Sequence, residues 1–298
     1  MRALKVLLAL ILSILLIVNV VVGLVCYDLK QTVLQPGFYQ KVLDENAFYA
    51  TILNTLSVMV DKQLAEVTEK YRERIKAGLE QGLNEAWLKE QISSAITGLI
   101  KYLNEETPVL SMPISLTEVK EPVIKAMTEG LSPREAIQAE AMVKKLNEMV
   151  PDQLDAAKLS DNVDLTRTMK TVAMVRKIPG ISLGLSIFIV LLLWFLGGFR
   201  LAALRWPGSS LLLAGALGVA IAVLGSDTST AMLTSVAMPD VPAELIPAGI
   251  PALLESMFRE VTKGLMVNAG VVALVGVIMI MVAFLFGSGK ESSVSGSS

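Results

Sequence analysis

The 298-residue sequence contains no histidine and a single cysteine, Cys26. Zinc sites built on imidazole and thiolate ligands, Ser-His-Asp and Cys-His catalysis, and an intrachain disulfide are therefore excluded. Aromatic residues make up only 5% of the chain, and neither sign of charge dominates: the formal net charge is −2. Residues 27–179 hold 22 acids against 19 bases, a balance that offers nucleic acid no electrostatic footprint. Phosphate-binding glycine patterns are missing as well. Gly287-Ser288-Gly289-Lys290 looks like the end of a phosphate loop, but Phe284 stands where its first glycine belongs and Glu291 replaces the Ser/Thr. No cofactor is implied. Asp152, Asp155, Asp161, Asn162 and Asp164 cluster, yet their spacing fits no calcium loop and they read as solvated helix caps.

What the chain does have is concentrated apolar sequence. Hydrophobic residues reach 53% and mean hydropathy is +0.59, although 18% of residues are charged. The apolar residues gather in 6–26, 181–199, 207–225 and 264–286. Each run is long enough, or nearly so, to cross about 30 Å of hydrocarbon at about 1.5 Å per residue. The expected fold class is an all-α membrane protein with four transmembrane helices. A mainly helical extracytoplasmic domain, with room for one short strand, fills residues 27–179 between spans one and two. The first run follows Arg2 and Lys5 as a secretory signal would, but it is longer than the roughly 7–15 residues of a cleaved signal and ends in no small-x-small site. An uncleaved signal anchor over 6–26 is expected. Lipidation at Cys26 is the alternative, disfavoured by Leu24-Val25 before it.

Basic residues set the orientation. Arg2 and Lys5 lie in the 1–5 tail, Arg200 and Arg205 in the 200–206 loop, and Lys290 in the low-complexity 287–298 tail, expected to be disordered. Four spans put all five on one side, so both termini are expected in the cytoplasm of a cell-membrane protein. Residues 27–179 and 226–263 then lie outside. Trp194 and Trp206 flank the inner loop as interface anchors, leaving Trp87 to the outer domain.

In that domain, residues 46–83 read as one long amphipathic helix. Tyr49, Leu53, Leu56, Val60, Leu64, Val67, Tyr71, Ile75 and Leu79 recur at spacings of three or four. Asn84 is placed to cap a second helix whose face carries Leu88, Ile92, Ile96, Leu99 and Leu103. Ser132-Pro133-Arg134-Glu135 combines an N-cap serine, a proline at the first helical position and a capping-box glutamate. Residues 109–116 suit one edge strand around Pro113, and 117–131 a helix irregular at Pro122. Asp164 would cap an amphipathic segment, 165–176, running towards Pro179-Gly180. A membrane-proximal bundle is favoured over a stalk. In 226–263, prolines 239, 242, 247 and 251 lead into an amphipathic run, Leu253, Leu254, Met257, Val261 and Leu265, expected to pack under the large domain.

The four runs themselves contain no Asp, Glu, Lys or Arg. Ionisable groups mark proton paths and intramembrane catalysis, so neither is expected. Asn19 and Asn268 are the intramembrane polar residues, expected to bond a neighbouring helix or a backbone carbonyl. Small residues four apart are helix-packing candidates: Gly180 and Gly184, then Ala214, Gly218 and Ala222, then Ala269 and Ala273. They serve packing among the chain's own spans, or against a membrane-protein partner or a second copy in a homo-oligomer. The lipid bilayer is the one partner implied outright.

Pro36-Gly-Phe-Tyr-Gln-Lys-Val-Leu-Asp-Glu-Asn-Ala-Phe-Tyr49, Glu85-Ala-Trp-Leu-Lys-Glu-Gln91 and Lys101-Tyr-Leu-Asn-Glu-Glu106 together resemble a loose group of uncharacterised prokaryotic envelope proteins with a helical outer domain. The resemblance implies the architecture above and carries no activity. The span layout is similar to that of four-span subunits that couple an ATPase to events outside the membrane. The functional expectation is a non-enzymatic envelope binding, scaffold or sensor protein acting through its outer domain. The alternatives are an accessory subunit of a transport or secretion complex, and lipid handling by the outer domain.

Overall fold

The computed structural model describes residues 2–66, 68–157, 165–226 and 249–287. Chain order is α1 (Arg2–Gln31), α2 (Pro36–Glu45), α3 (Phe48–Gln63), α4 (Glu69–Gly82), α5 (Glu85–Leu103), β1 (Pro113–Ser115), α6 (Thr117–Thr128), α7 (Pro133–Met149), β2 (Gln153–Asp155), α8 (Thr166–Leu196), α9 (Arg205–Ser226) and α10 (Gly249–Gly287). Four helical stretches, Leu4–Gln31, Thr166–Leu196, Leu201–Ser226 and Gly249–Phe286, are long and apolar enough to cross a membrane. The fold is that of an all-α, multi-pass membrane protein. The described residues form two compact units, one of 2–34, 171–226 and 254–287, the other of 35–170 and 249–253.

In the first unit, α1 turns a heptad-like stripe inward. Ala9, Ser13, Leu16, Val20 and Gly23 are buried at spacings of four and three, while Leu7, Ile14 and Val18 stay exposed, as lipid-facing residues must. Leu16, Ile189 and Ala214 meet in a core drawn from α1, α8 and α9. The helices outrun the hydropathy limits. The 165–176 segment does not stop before Pro179-Gly180, because α8 runs through Pro179. A proline inside a helix frees only one carbonyl and blocks one turn, which neighbouring helices and local adjustment tolerate in membrane spans. At its other end α8 stops at Leu196, not 199, where Gly198 (φ 74) and Phe199 (φ 56) turn left-handed. Leu201–Leu204 then forms a 3-10 turn into α9.

The amphipathic run of the second outer loop is not a separate helix. It is the beginning of α10, one continuous helix of 39 residues that includes the fourth apolar run. Residues 227–248, three of the four loop prolines and the 288–298 tail lie outside the described residues, as does Asp164.

In the second unit the expected 46–83 helix starts at Phe48 and is broken once, between α3 and α4. Ala47 (φ 48) separates α2 from α3, and α3 passes through a 3-10 turn, Leu64–Glu66, before α4 begins after Thr68. The apolar period runs through the break because both helices bury the same stripe. Arg72 shows why the break is stable: Nε donates to Leu64 O (2.8 Å) and Nη2 to Ala65 O (2.6 Å), satisfying carbonyls that the interrupted helix leaves open. Lys76 Nζ reaches back to Asp61 at 2.9 Å, tying α4 to α3 across the turn. Asn84 caps α5, its side chain accepting from Trp87 N at 2.9 Å. The Ser132 amide donates to Glu135 Oε2 at 3.0 Å in the capping box. Helix α6 stops at Thr128, short of 131, with Gly130 left-handed (φ 68).

The core gathers Leu43, Tyr49, Trp87, Leu88 and Val119, with Leu253 of α10 packed against it. Trp87 Nε1 donates to Ser115 O (3.0 Å), tying α5 to the strand. The strand expected over 109–116 shrinks to β1, and it is paired: β2 lies antiparallel to it with Ile114 opposite Leu154. Asp152 and Asp155, read as helix caps, instead hold this pair. Asp155 Oδ1 accepts from Met112 N (3.0 Å), and Asp152 pairs with Lys120 Nζ (2.7 Å), which also donates to Val150 O. Asp161, Asn162 and Asp164 of the same cluster lie outside the described residues.

Helices α4 and α6 meet backbone to backbone. A Cβ on Gly78 would stand 2.5 Å from Val123 Cα, and one on Gly82 would stand 2.7 Å from Val119 Cα. Gly78→Ala is therefore expected to destabilise this unit by about 1–3 kcal/mol through overpacking. Gly37→Ala, with nothing within 4 Å of the added carbon, is expected to be neutral. Melting monitored by the buried Trp87 in the intact protein reads both.

Candidate functional site

The chemistry of the four-helix unit lies where its spans touch. Helices α9 and α10 approach antiparallel along small residues. A Cβ on Gly208 would stand 3.1 Å from Gly276 O, one on Gly215 2.5 Å from Ala273 N, and one on Gly218 2.7 Å from Ala269 Cβ. Near the other end, a Cβ on Gly225 would meet Thr262 Cγ2 at 3.1 Å. Gly218 and Ala269 thus lie on the seam, as does Ala273, and Ala222 and Ala269 are fully buried. Ala214 is fully buried in the α1–α8–α9 core instead. Gly180 and Gly184 pack on nothing: both are exposed, with open space within 4 Å of an added carbon. The inward face of α8 carries Ser182, Ser186, Ile189 and Leu193, and residues two positions away lie about 200° round the helix. The four-residue spacing missed Gly208, Gly215 and Gly276. Gly208 and Gly215 are seven apart, as are Ala269 and Gly276, and a heptad search would have found them.

Asn19 clamps α1 to α8. Its Nδ2 donates to Ser182 O (2.9 Å) and to Ser186 Oγ (2.8 Å), while Ser182 Oγ donates back to Asn19 O (2.8 Å). Gly23, one turn on, leaves space that Ser182 Oγ fills.

Asn268 donates to Asp28 Oδ1 at 3.3 Å. The four apolar runs themselves hold no ionisable group, but this contact places one directly beside them. Hydropathy ended the first run at residue 26, but α1 continues to Gln31 and places Asp28 inside the bundle with 2% of its surface exposed. The Asp28 carboxylate packs against Gly264, where any side chain would occupy the position of Oδ1. Oδ2 has no hydrogen-bond partner. Among the described residues no group of three or more metal-binding side chains surrounds it, and no second acid joins it. A carboxyl so placed accepts a hydrogen bond from Asn268 and can bind one proton. The sign that sequence offered was position alone, since Asp28 falls within one turn of the end of an apolar helix.

The basic residues expected to set the topology fall at the opposite end of the helices from Asp28. Lys5 lies beside Gly197 and Trp206, the Arg205 guanidinium stands 4.3 Å over the Phe284 ring, and Arg200 opens the α8–α9 connection. Arg2 begins α1, and Lys290 lies outside the described residues. Comparison with protein-family models, curated proteins and solved structures finds no match for the chain. The reading of its function therefore rests on this geometry.

Two outcomes test the geometry. Gly215→Ala is expected to lower the melting point of the purified protein in detergent, by the equivalent of about 1–3 kcal/mol, while Gly184→Ala leaves it unchanged. Asp28→Asn keeps the shape and the bond to Asn268 but removes a poorly solvated charge. It is expected to raise stability by about 1 kcal/mol, whereas a fall would mean that the carboxylate itself holds α1 to α10.

Proposed function

We propose that this chain is a non-enzymatic envelope protein that binds or senses a partner through its outer helical domain and relays that event to four spans in the cell membrane. In this reading α1 is an uncleaved signal anchor, both termini are cytoplasmic, and residues 27–179 and 226–263 lie outside. The observation that carries it is α10. This helix is uninterrupted from Gly249 to Gly287; Leu253 belongs to the core of the second unit, and Gly264 and Asn268 meet Asp28 in the first. Leu253 and Asn268 belong to one continuous helix, which gives a change in the domain a direct covalent route to the spans. The missing histidines remove the commonest general base at neutral pH, which favours binding over reaction. A second reading, an accessory subunit of a membrane complex, is favoured by the exposed Gly180 and Gly184 on α8, a small-residue face with no contact among the described residues.

An impermeant thiol-directed crosslinker on Lys101→Cys, an exposed position near the end of α5, tests the reading in intact cells carrying a Cys26→Ser background. The expected result is capture of an envelope protein, identified by mass spectrometry after purification. Absence of labelling would refute the outside placement. Labelling without capture, repeated at the exposed Glu121→Cys, would refute partner binding. A stoichiometric membrane protein that co-purifies without crosslinker would put the accessory-subunit reading first.

A further inference from the structure

The basic end of the four-helix unit contains a cleft between α1, the end of α8 and the start of α9. Lys5, Val6 and Ala9 form one wall, Leu193, Leu196 and Gly197 the second, and Trp206 the third. The walls are apolar apart from one ammonium and one indole N–H. No Asp or Glu occurs in residues 2–27 or 171–226, so the segments that build the cleft provide no counter-ion for Lys5. Arg200 and Arg205 raise the positive potential at the same end, and the Arg205 guanidinium is held by Phe284 on α10. Trp206 is 40% exposed beside Lys5, the pairing of amphipathic ring and cation that sits at the level of lipid headgroups. Exposed Val6 and Leu10 continue the apolar surface along α1 from the cleft.

We infer that this cleft binds the headgroup of an anionic phospholipid, with the phosphate on Lys5 and an acyl chain lying along Val6 and the neighbouring surface of α1. Charge complementarity decides the occupant. A cation with no acid in the segments that build its cleft, above an apolar wall, suits an amphiphile with an anionic head, and basic pockets between spans recognise such lipids. A zwitterionic lipid brings its own cation and gains less from Lys5. The inference does not depend on what the outer domain binds.

The full-length protein, purified in mild detergent and exchanged into equal mixtures of phosphatidylglycerol and phosphatidylcholine, provides the test, with native mass spectrometry counting retained lipids. The wild type is expected to retain phosphatidylglycerol preferentially. Lys5→Gln is expected to reduce that preference about fivefold, and Val6→Trp, which fills the cleft without changing charge, to reduce it as well. Lys177→Gln, a basic position elsewhere on α8, is expected to leave it unchanged. Three results would overturn the inference: equal retention of both lipids by the wild type, an unchanged preference in both cleft variants, or an equal loss in Lys177→Gln. Displacement of the lipid by inorganic phosphate alone would equally overturn it, since the occupant would then be a free anion. Melting curves that match the wild type establish that the variants remain folded.

Discussion

Helices lying in hydrocarbon gain nothing from the hydrophobic effect when they meet, because lipid tails are as apolar as leucine. Association must come from close packing and from polar contacts that lipid cannot supply. The four-helix unit uses both. Along α9 and α10, glycine and alanine remove the side chains that would hold the backbones apart. Between α1 and α8, Asn19, Ser182 and Ser186 exchange hydrogen bonds that have no alternative partner in a bilayer. Many large apolar side chains, such as Phe188 and Leu285, are left on the outside.

The second unit works in the opposite solvent yet uses the same spacing device. Gly78 and Gly82 bring α4 against the α6 backbone next to Pro122, where a missing amide already makes the helix irregular. Here the close approach seals an apolar core that water would otherwise enter. The buried Lys120, 7% exposed, is tolerable for a related reason. It is tied to a carbonyl and to a largely exposed carboxylate, so its charge is compensated while its stem covers apolar surface.

How much of this was legible follows from the range of each signal. Local signals read through: apolar runs long enough to span, the Asn84 cap and the Ser132–Glu135 box depend on residues within one turn of each other. Boundaries read poorly. Hydropathy measures composition, and a helix does not end where composition changes, so α8 and α10 absorbed segments that looked separate and α1 carried Asp28 into the bundle. Helix breaks were hidden too: the 3.6-residue period says which face is buried, not whether the chain reverses, and α3 and α4 bury one continuous stripe from both sides of a turn. Pairings across sequence were out of reach. Nothing near residue 113 announces β2 forty residues later, and nothing near Asp28 announces Asn268.

The Asn19 clamp also bears on how such a chain is made. Its partner Ser182 lies 163 residues further along. At translation rates of roughly 5–20 residues per second, the interval between the two is about 8–33 seconds. Throughout it the first helix exists alone, with a polar side chain whose eventual partners have not been synthesised. Helices α8 and α9 are different: their connection is a few residues, so they emerge nearly together and can enter the bilayer as a hairpin. Biosynthesis thus divides the bundle into an early helix that must survive unpaired and late helices that arrive with company. Asparagine at the middle of that helix costs less in lipid than a charge would, and the ionisable Asp28 stands only near its end.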